Sequence, residues 1–183
     1  MAIVYNTTID QGADWFINFI YNQPALITNM VQGMGTDIVV TANNGFVVDQ
    51  VVSITGVLPS QFNYTNAVLT YADTTQFVFQ GVLSGIYISG GTAYAPVNLT
   101  SATAALQLRS LPNDPTSVLT LTTENDGITI GGIDGELAVH ATAEQTGNID
   151  TGYYYYDLQL TLSESVIRVA QGQILVSAEI TRV

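Results

Sequence analysis

Short runs of alternating or β-branched residues recur from one end of the chain to the other, separated by turns rich in Gly, Asn, Asp and Pro. No segment holds a helical period, so the pattern predicts an all-β protein. The run 153–162 alternates most cleanly. Tyr154, Tyr156, Leu158, Leu160 and Leu162 share one face, which is the expected core face, and Tyr153, Tyr155, Asp157, Gln159 and Thr161 share the other. Leu137, Val139 and Ala141 are expected to point inward in the same way, which turns His140 outward with Glu136 and Ala138. Further strands are predicted over 118–122, 128–130, 136–141, 166–170 and 174–180, with Gly172 marking a bulge or bend between the last two. Asn125-Asp126-Gly127 and Ile133-Asp134-Gly135 place a glycine after an Asx residue, where a positive φ costs little.

The first half predicts a second set of strands over 37–42, 46–55, 68–71, 76–80 and 85–89, with a Gly-rich patch at 81–91. The stretch 36–80, with its Asn43-Asn44-Gly45 turn and Pro59-Ser60 loop, reads as a small half-barrel inserted into another domain. Near the start, Trp15, Ile17 and Phe19 share one strand face and Phe16, Asn18 and Ile20 the other. With apolar residues on both, this strand is expected to be buried on each side, and Trp15 and Phe16 to be core residues.

A length of 183 residues fits one β domain or two small ones sharing a boundary. Charge narrows the partners. Three basic residues stand against fifteen acidic ones, a formal net charge of −12, and the three are Arg109, Arg168 and Arg182. Nucleic-acid binders neutralise phosphates with clusters of Lys and Arg, so nucleic acid is excluded as a partner, and an anionic membrane surface is disfavoured on the same ground. Only 10% of residues are charged, against about 25% in an ordinary soluble domain. Thr, Ser, Asn, Gln and Gly fill the difference, giving a neutral surface suited to permanent packing against neighbours. Cysteine is absent, which removes disulfides, zinc–thiolate sites and thiol nucleophiles. The first residues carry no basic and apolar leader pattern, and no run approaches eighteen apolar residues, so neither standard export nor a membrane span is expected.

Four separated pieces carry a resemblance. They are Ile9-Asp10-Gln11-Gly12-Ala13-Asp14-Trp15-Phe16; Leu106-Gln107-Leu108-Arg109-Ser110; the run from Leu119 through Asn125-Asp126-Gly127 to Ile130; and Gly152-Tyr153-Tyr154-Tyr155-Tyr156-Asp157-Leu158-Gln159-Leu160, continuing to Gln171-Gly172-Gln173-Ile174-Leu175-Val176 and Glu179-Ile180-Thr181-Arg182. Together they resemble a family of small structural proteins of tailed bacteriophages, related to the N-terminal domain of upper baseplate proteins. The resemblance implies an immunoglobulin-like β-sandwich used as a virion building block, with no catalytic residues. Between Pro24 and Pro96 the chain departs from that family. Thr41-Ala42-Asn43-Asn44-Gly45-Phe46 and Val51-Val52-Ser53-Ile54-Thr55-Gly56-Val57 resemble another recurrent phage module. The expected division is therefore a β-sandwich of residues 1–24 plus 97–183 and an inserted, small β-barrel-like module of residues 25–96.

No candidate chemistry displaces that reading. His140 is the sole histidine, so metal sites built on two or more histidines are ruled out and a catalytic triad lacks partners at suitable spacing. Asp126, Asp134 and Glu136 surround two turns, but their spacing does not match a calcium loop, and solvated turn carboxylates are expected. No pair of carboxylates sits in a recognisable glycosidase context. Catalytic, metal and cofactor residues are accordingly assigned to none. Tyr153 and Tyr155, outward by alternation, and Arg182 near the C-terminus are the expected interface residues; a scarce arginine such as Arg109, Arg168 or Arg182 can hold a carboxylate. The expectation is a non-enzymatic virion component, assembled in the host cytoplasm, that acts as an adaptor or fibre-attachment part of the tail, neck or baseplate. Its expected partners are other virion proteins and copies of itself. A capsid decoration protein is the alternative. A host-surface glycan is a further candidate partner, with Tyr64, Tyr71, Phe77, Phe79 and Tyr87 of the insertion as the aromatic platform.

Overall fold

The computed structural model describes residues 2–180, and Arg182 lies outside the described residues. Apart from two short 3₁₀ turns and one five-residue helix the regular structure is β-sheet. It divides into two compact units, one of Met1–Phe19, Leu99–Gly131 and Glu136–Val183, the other of Ile20–Asn98 with Gly132–Gly135. The division lies a few residues from the breaks expected at 24 and 97, and the tip at 132–135 groups with the second unit. The backbone explains this. Tyr21 N donates to Gly135 O, and a Cβ on Gly135, whose φ is +63°, would lie 2.7 Å from Tyr21 O.

The first unit is built from β1 (Ile3–Val4), β2 (Thr7–Asp10), β3 (Trp15–Ile20), β10 (Thr103–Arg109), β11 (Leu119–Thr122), β12 (Ile128–Ile130), β13 (Glu136–Ala141), α1 (Ala143–Gly147), β14 (Gly152–Leu162) and β15 (Ser165–Ser177). One sheet runs β1-β15-β14-β10-β11, with β2 also on β15; the other runs β12-β13-β3. β1 and β2 pair in parallel with the last strand, whereas β14 pairs antiparallel with both β10 and β15. Across the layers β10 meets β12 and β11 meets β13. Leu106, Leu108, Tyr156, Leu158 and Leu160 of one sheet and Trp15, Ile17, Leu137 and Val139 of the other are buried. Tyr154 at the start of β14 donates its hydroxyl to Asp150 O, four residues back, at 2.8 Å, a tyrosine corner. The unit is an immunoglobulin-like β-sandwich, and the second unit is spliced into it between β3 and β10.

The second unit contains β4 (Asn22–Gln32), β5 (Asp37–Ala42), β6 (Val51–Leu58), β7 (Tyr64–Ala72), β8 (Gln76–Gln80) and β9 (Ser89–Pro96). They close into a barrel in the order β4-β5-β8-β7-β6-β9. The long β4 closes it, pairing through its first half with β9 and through its second half with β5. Ile38, Val40, Ile54, Phe62, Leu69, Phe77 and Phe79 fill the interior. A closed barrel leaves no strand edge, which the half-barrel suggested by residues 36–80 would have exposed.

Several local expectations are corrected. β15 is one strand rather than two. Its irregularity sits where Leu158 pairs with Ala170 and Gln159 with Arg168, leaving Val169 as the extra residue; Gly172 is not the bulge. Gly172 instead admits the carbonyl of Tyr5, from which a Cβ there would lie only 2.1 Å. The strand expected over 46–55 starts at Val51, because Asn44 Oδ1 accepts from Phe46 N and Asp49 takes a φ of +71°, which holds 43–50 as a loop. At the 125–127 turn the positive φ falls on Asp126, not on Gly127. β3 is buried on one side only: Trp15, Ile17 and Phe19 are buried, whereas Phe16 is 66% exposed. α1 was not anticipated. It rests on a capping box in which Thr142 Oγ1 accepts from Gln145 N and Gln145 Oε1 accepts from Thr142 N.

Candidate functional site

The outward face of the large sheet carries the most differentiated chemistry in the sandwich unit. Alternation along β14 sends Tyr155, Asp157 and Gln159 outward, and pairing with β10 and β15 sets them in cross-strand rows. Arg109 and Gln173 flank Tyr155, and Gln107 and Gln171 flank Asp157. The bulge in β15 decides the third row. By burying Val169 and Ala170 consecutively it shifts the strand's phase, so that Arg168, opposite Gln159, faces the same way as Gln171 and Gln173. These residues, with Asn6 and Pro112 at the margins, line a groove of about 580 Å³.

Both described arginines are therefore on one face. Arg168 Nε lies 3.0 Å from Asp157 Oδ2, and its Nη1 donates to Gln171 Oε1 at 3.0 Å. Arg109 Nη2 donates to Gln107 Oε1 at 2.6 Å and Nη1 to Asp114 O. Gln159 Nε2 donates to Asp157 Oδ2 at 3.1 Å, so both contacts to that carboxylate fall on one oxygen. Arg168 meets Asp157 through one nitrogen, not as a two-pronged fork. Beneath the groove the Tyr156 hydroxyl donates to Tyr5 O at 2.7 Å, and burial, then the Tyr5 phenol, pushes it up to about 12.

Of the expected interface residues, Tyr153 is 69% exposed and Tyr155 half-buried within the groove wall. His140 does point outward, but its company is Phe16, stacked with ring centroids 4.3 Å apart, and Asp14, whose Oδ1 is 3.6 Å from Nε2. Among the described residues no three His, Asp or Glu side chains converge as metal ligands. The aromatic platform expected in the insertion is not assembled. Phe77 and Phe79 are buried inside the barrel, the Tyr64 hydroxyl donates to Val82 O and that of Tyr71 to Asp73. Sequence reading missed Asn6, Gln107, Gln171 and Gln173. The alternation Leu106-Gln107-Leu108-Arg109 carried the signal for Gln107, whereas the β15 pair depended on the bulge.

The barrel unit presents a different surface. Its segment 81–88 runs outside the strands and exposes Val82, Ile86 (83% exposed) and Ile88. The segment is pinned by Gln32 Oε1 accepting from Leu83 N, by the Tyr87 hydroxyl, whose one proton is shared between Ile27 O and Gly90 O at 3.1 and 3.0 Å, and by Ile88 N donating to Leu58 O. Ile86 and the half-exposed Val31 line one shallow hollow.

No protein-family model matches the chain, and no curated protein does. Among solved structures it is similar to a chain described as tandem Ig repeats of Dlar, at 10% identity and a TM-score of 0.20, over 85% of this chain and 98% of that one.

Proposed function

We propose that this chain is a non-enzymatic structural component of a tailed-phage virion, an adaptor or fibre-attachment part of the tail, neck or baseplate. The observation that carries the reading is the pinned apolar segment 81–88. Holding Val82, Ile86 and Ile88 in water costs the transfer free energy of their side chains, roughly 1.5–3 kcal/mol each when fully exposed. Only eighteen residues are charged (three basic plus fifteen acidic), so most of the surface around that segment is neutral, as suits a face packed against neighbours. Strand edges add to this: β3, β11 and β12 each end a sheet, and among the described residues their outer edges pair with no strand. Neighbouring virion proteins and further copies of the chain are the partners that would cover these surfaces at repeated, symmetric sites.

Capsid decoration is the alternative placement and would use the same surfaces. Immunogold labelling of intact particles tests both. Label at the tail, neck or baseplate is the expected result, label over the head faces selects decoration, and particles free of label overturn the virion reading.

A further inference from the structure

We propose that the groove on the outward face of the β10–β14–β15 sheet is a binding site for an acidic saccharide, a sugar chain bearing carboxylates. This inference stands on the groove and not on the virion reading. Three observations lead to it.

The first is charge. A molecule of net charge −12 places Arg109 and Arg168 in one concave site with Asp157 as the charged acidic residue in its wall, so the groove is locally cationic on an anionic protein. The second is unused hydrogen-bonding capacity. Arg168 Nη2, the Tyr155 hydroxyl, the Gln173 carboxamide, Gln171 Nε2 and Asp157 Oδ1 make no hydrogen bond among the described residues, although their neighbouring atoms are engaged. Guanidinium and amide donors suit a carboxylate, while Asp157 Oδ1 is an acceptor that a ligand hydroxyl can satisfy. A polyphosphate would bring no hydrogen-bond donor to that oxygen, whereas a sugar carboxylate comes with hydroxyls beside it. The third is topology. The groove lies on the face of the sheet, where β14 is already paired along both sides. A peptide cannot add there as a strand, so the ligand must be read by its pendant groups, and the Tyr155 ring offers the flat apolar surface on which a pyranose face packs. The volume of about 580 Å³ falls within the range of about 300–1,000 Å³ usual for small-ligand sites.

The test is titration calorimetry of the full chain with oligogalacturonate and with sialyllactose, against carboxyl-reduced oligogalacturonate, lactose and poly-glutamate. Saturation-transfer NMR would run in parallel, and Arg168→Gln, Arg109→Gln and Tyr155→Ser would be examined with their fold checked by circular dichroism. The proposal expects one of the acidic sugars to bind at least tenfold more tightly than its neutral counterpart, and each substitution to weaken it about tenfold or more. Preference between the two acidic sugars identifies the source of the carboxylate. No binding at millimolar sugar overturns the proposal. Equal binding of neutral sugar, tighter binding of poly-glutamate, or affinity unchanged in the folded variants does the same. Should one variant fail to fold, transfer to sugar protons from residues outside the groove in the unmodified chain is itself contrary.

Discussion

Gln50→Leu is the sharpest test of how the barrel unit is held together. Gln50 is 1% exposed, and its side chain does three things at once. Nε2 donates to Pro96 O at 2.8 Å and to Ile133 O at 2.9 Å, while Oε1 accepts from Val47 N at 3.1 Å. One amide thus joins the loop before β6, the end of β9 and the tip at 132–135. Leucine has nearly the same volume but no polar atom, so three backbone groups would lose a partner at about 1–3 kcal/mol each. The carbonyls have second lone pairs, and burying leucine returns roughly 1.5–3 kcal/mol. With the two carbonyls counted near the low end for that reason, about 4–6 kcal/mol is lost and about 2 returned, a net loss of about 2–4 kcal/mol. For a chain of this size each kcal/mol corresponds to roughly 2–4 °C, so Tm should fall by about 4–16 °C. Urea and thermal denaturation followed by far-ultraviolet circular dichroism would measure it. Gln50→Glu sharpens the test, because its buried carboxylate would face two carbonyl oxygens and have its pKa raised above the unfolded value of about 4.3. That variant should be the weaker of the two at neutral pH, and should recover as pH falls through its folded pKa. A Gln50→Leu protein within about 0.5 kcal/mol of the parent would refute the reasoning.

Three other outcomes are expected. Gly172→Ala sets a Cβ 2.1 Å from Tyr5 O, against backbone that can yield only by lifting the N-terminal strand from β15; a loss of about 1–3 kcal/mol is expected, read by thermal melting and by faster amide exchange at Tyr5. Tyr156, raised to about 12 by burial and by Tyr5, favours the folded state fully below its unfolded pKa of about 10. That stability is lost as pH climbs from about 10 to about 12, so the alkaline slope of a pH–stability curve should flatten in Tyr156→Phe. Asp73 lies well below the usual carboxylate range, held there chiefly by Thr75 N and Oγ1 and also by the Tyr71 hydroxyl. Its contribution is present above the unfolded pKa of about 3.9 and fades as pH falls further, so Asp73→Asn should show a shallower loss of stability in acid titration.

Legibility in the sequence followed the regularity of each strand. One face is buried along all of β13 and along β14 from Tyr154 to Leu160, with Leu162 only half-buried, so the period of two survives and the inward residues could be read directly. β4 escaped because a register shift between Ile27 and Asn29 breaks its alternation and Pro24 interrupts its start. Without β4 a barrel cannot be closed on paper. α1 is five residues long, too short for a periodic signal, although Thr142 and Gln145 stood at the capping-box spacing. The groove was half legible. Tyr155 and Arg168 could each be singled out, but their meeting depends on which strands pair and on a one-residue bulge, and neither is encoded in local composition. The exposure of Phe16 was misread for a related reason: hydrophobicity on both faces of a strand marks burial only when the fold supplies a second covering layer.

The central claim is that this chain's exterior is covered by neighbours within a particle. Hydroxyl-radical footprinting of the free chain and of purified particles measures it most directly, with Met30, 1% exposed in the barrel, as the internal control. The account predicts that Ile86 and Tyr153 are modified readily in the free chain and strongly protected in particles, with Met30 unreactive in both. Equal modification of Ile86 and Tyr153 in the two samples, or particles that lack the chain, would contradict it.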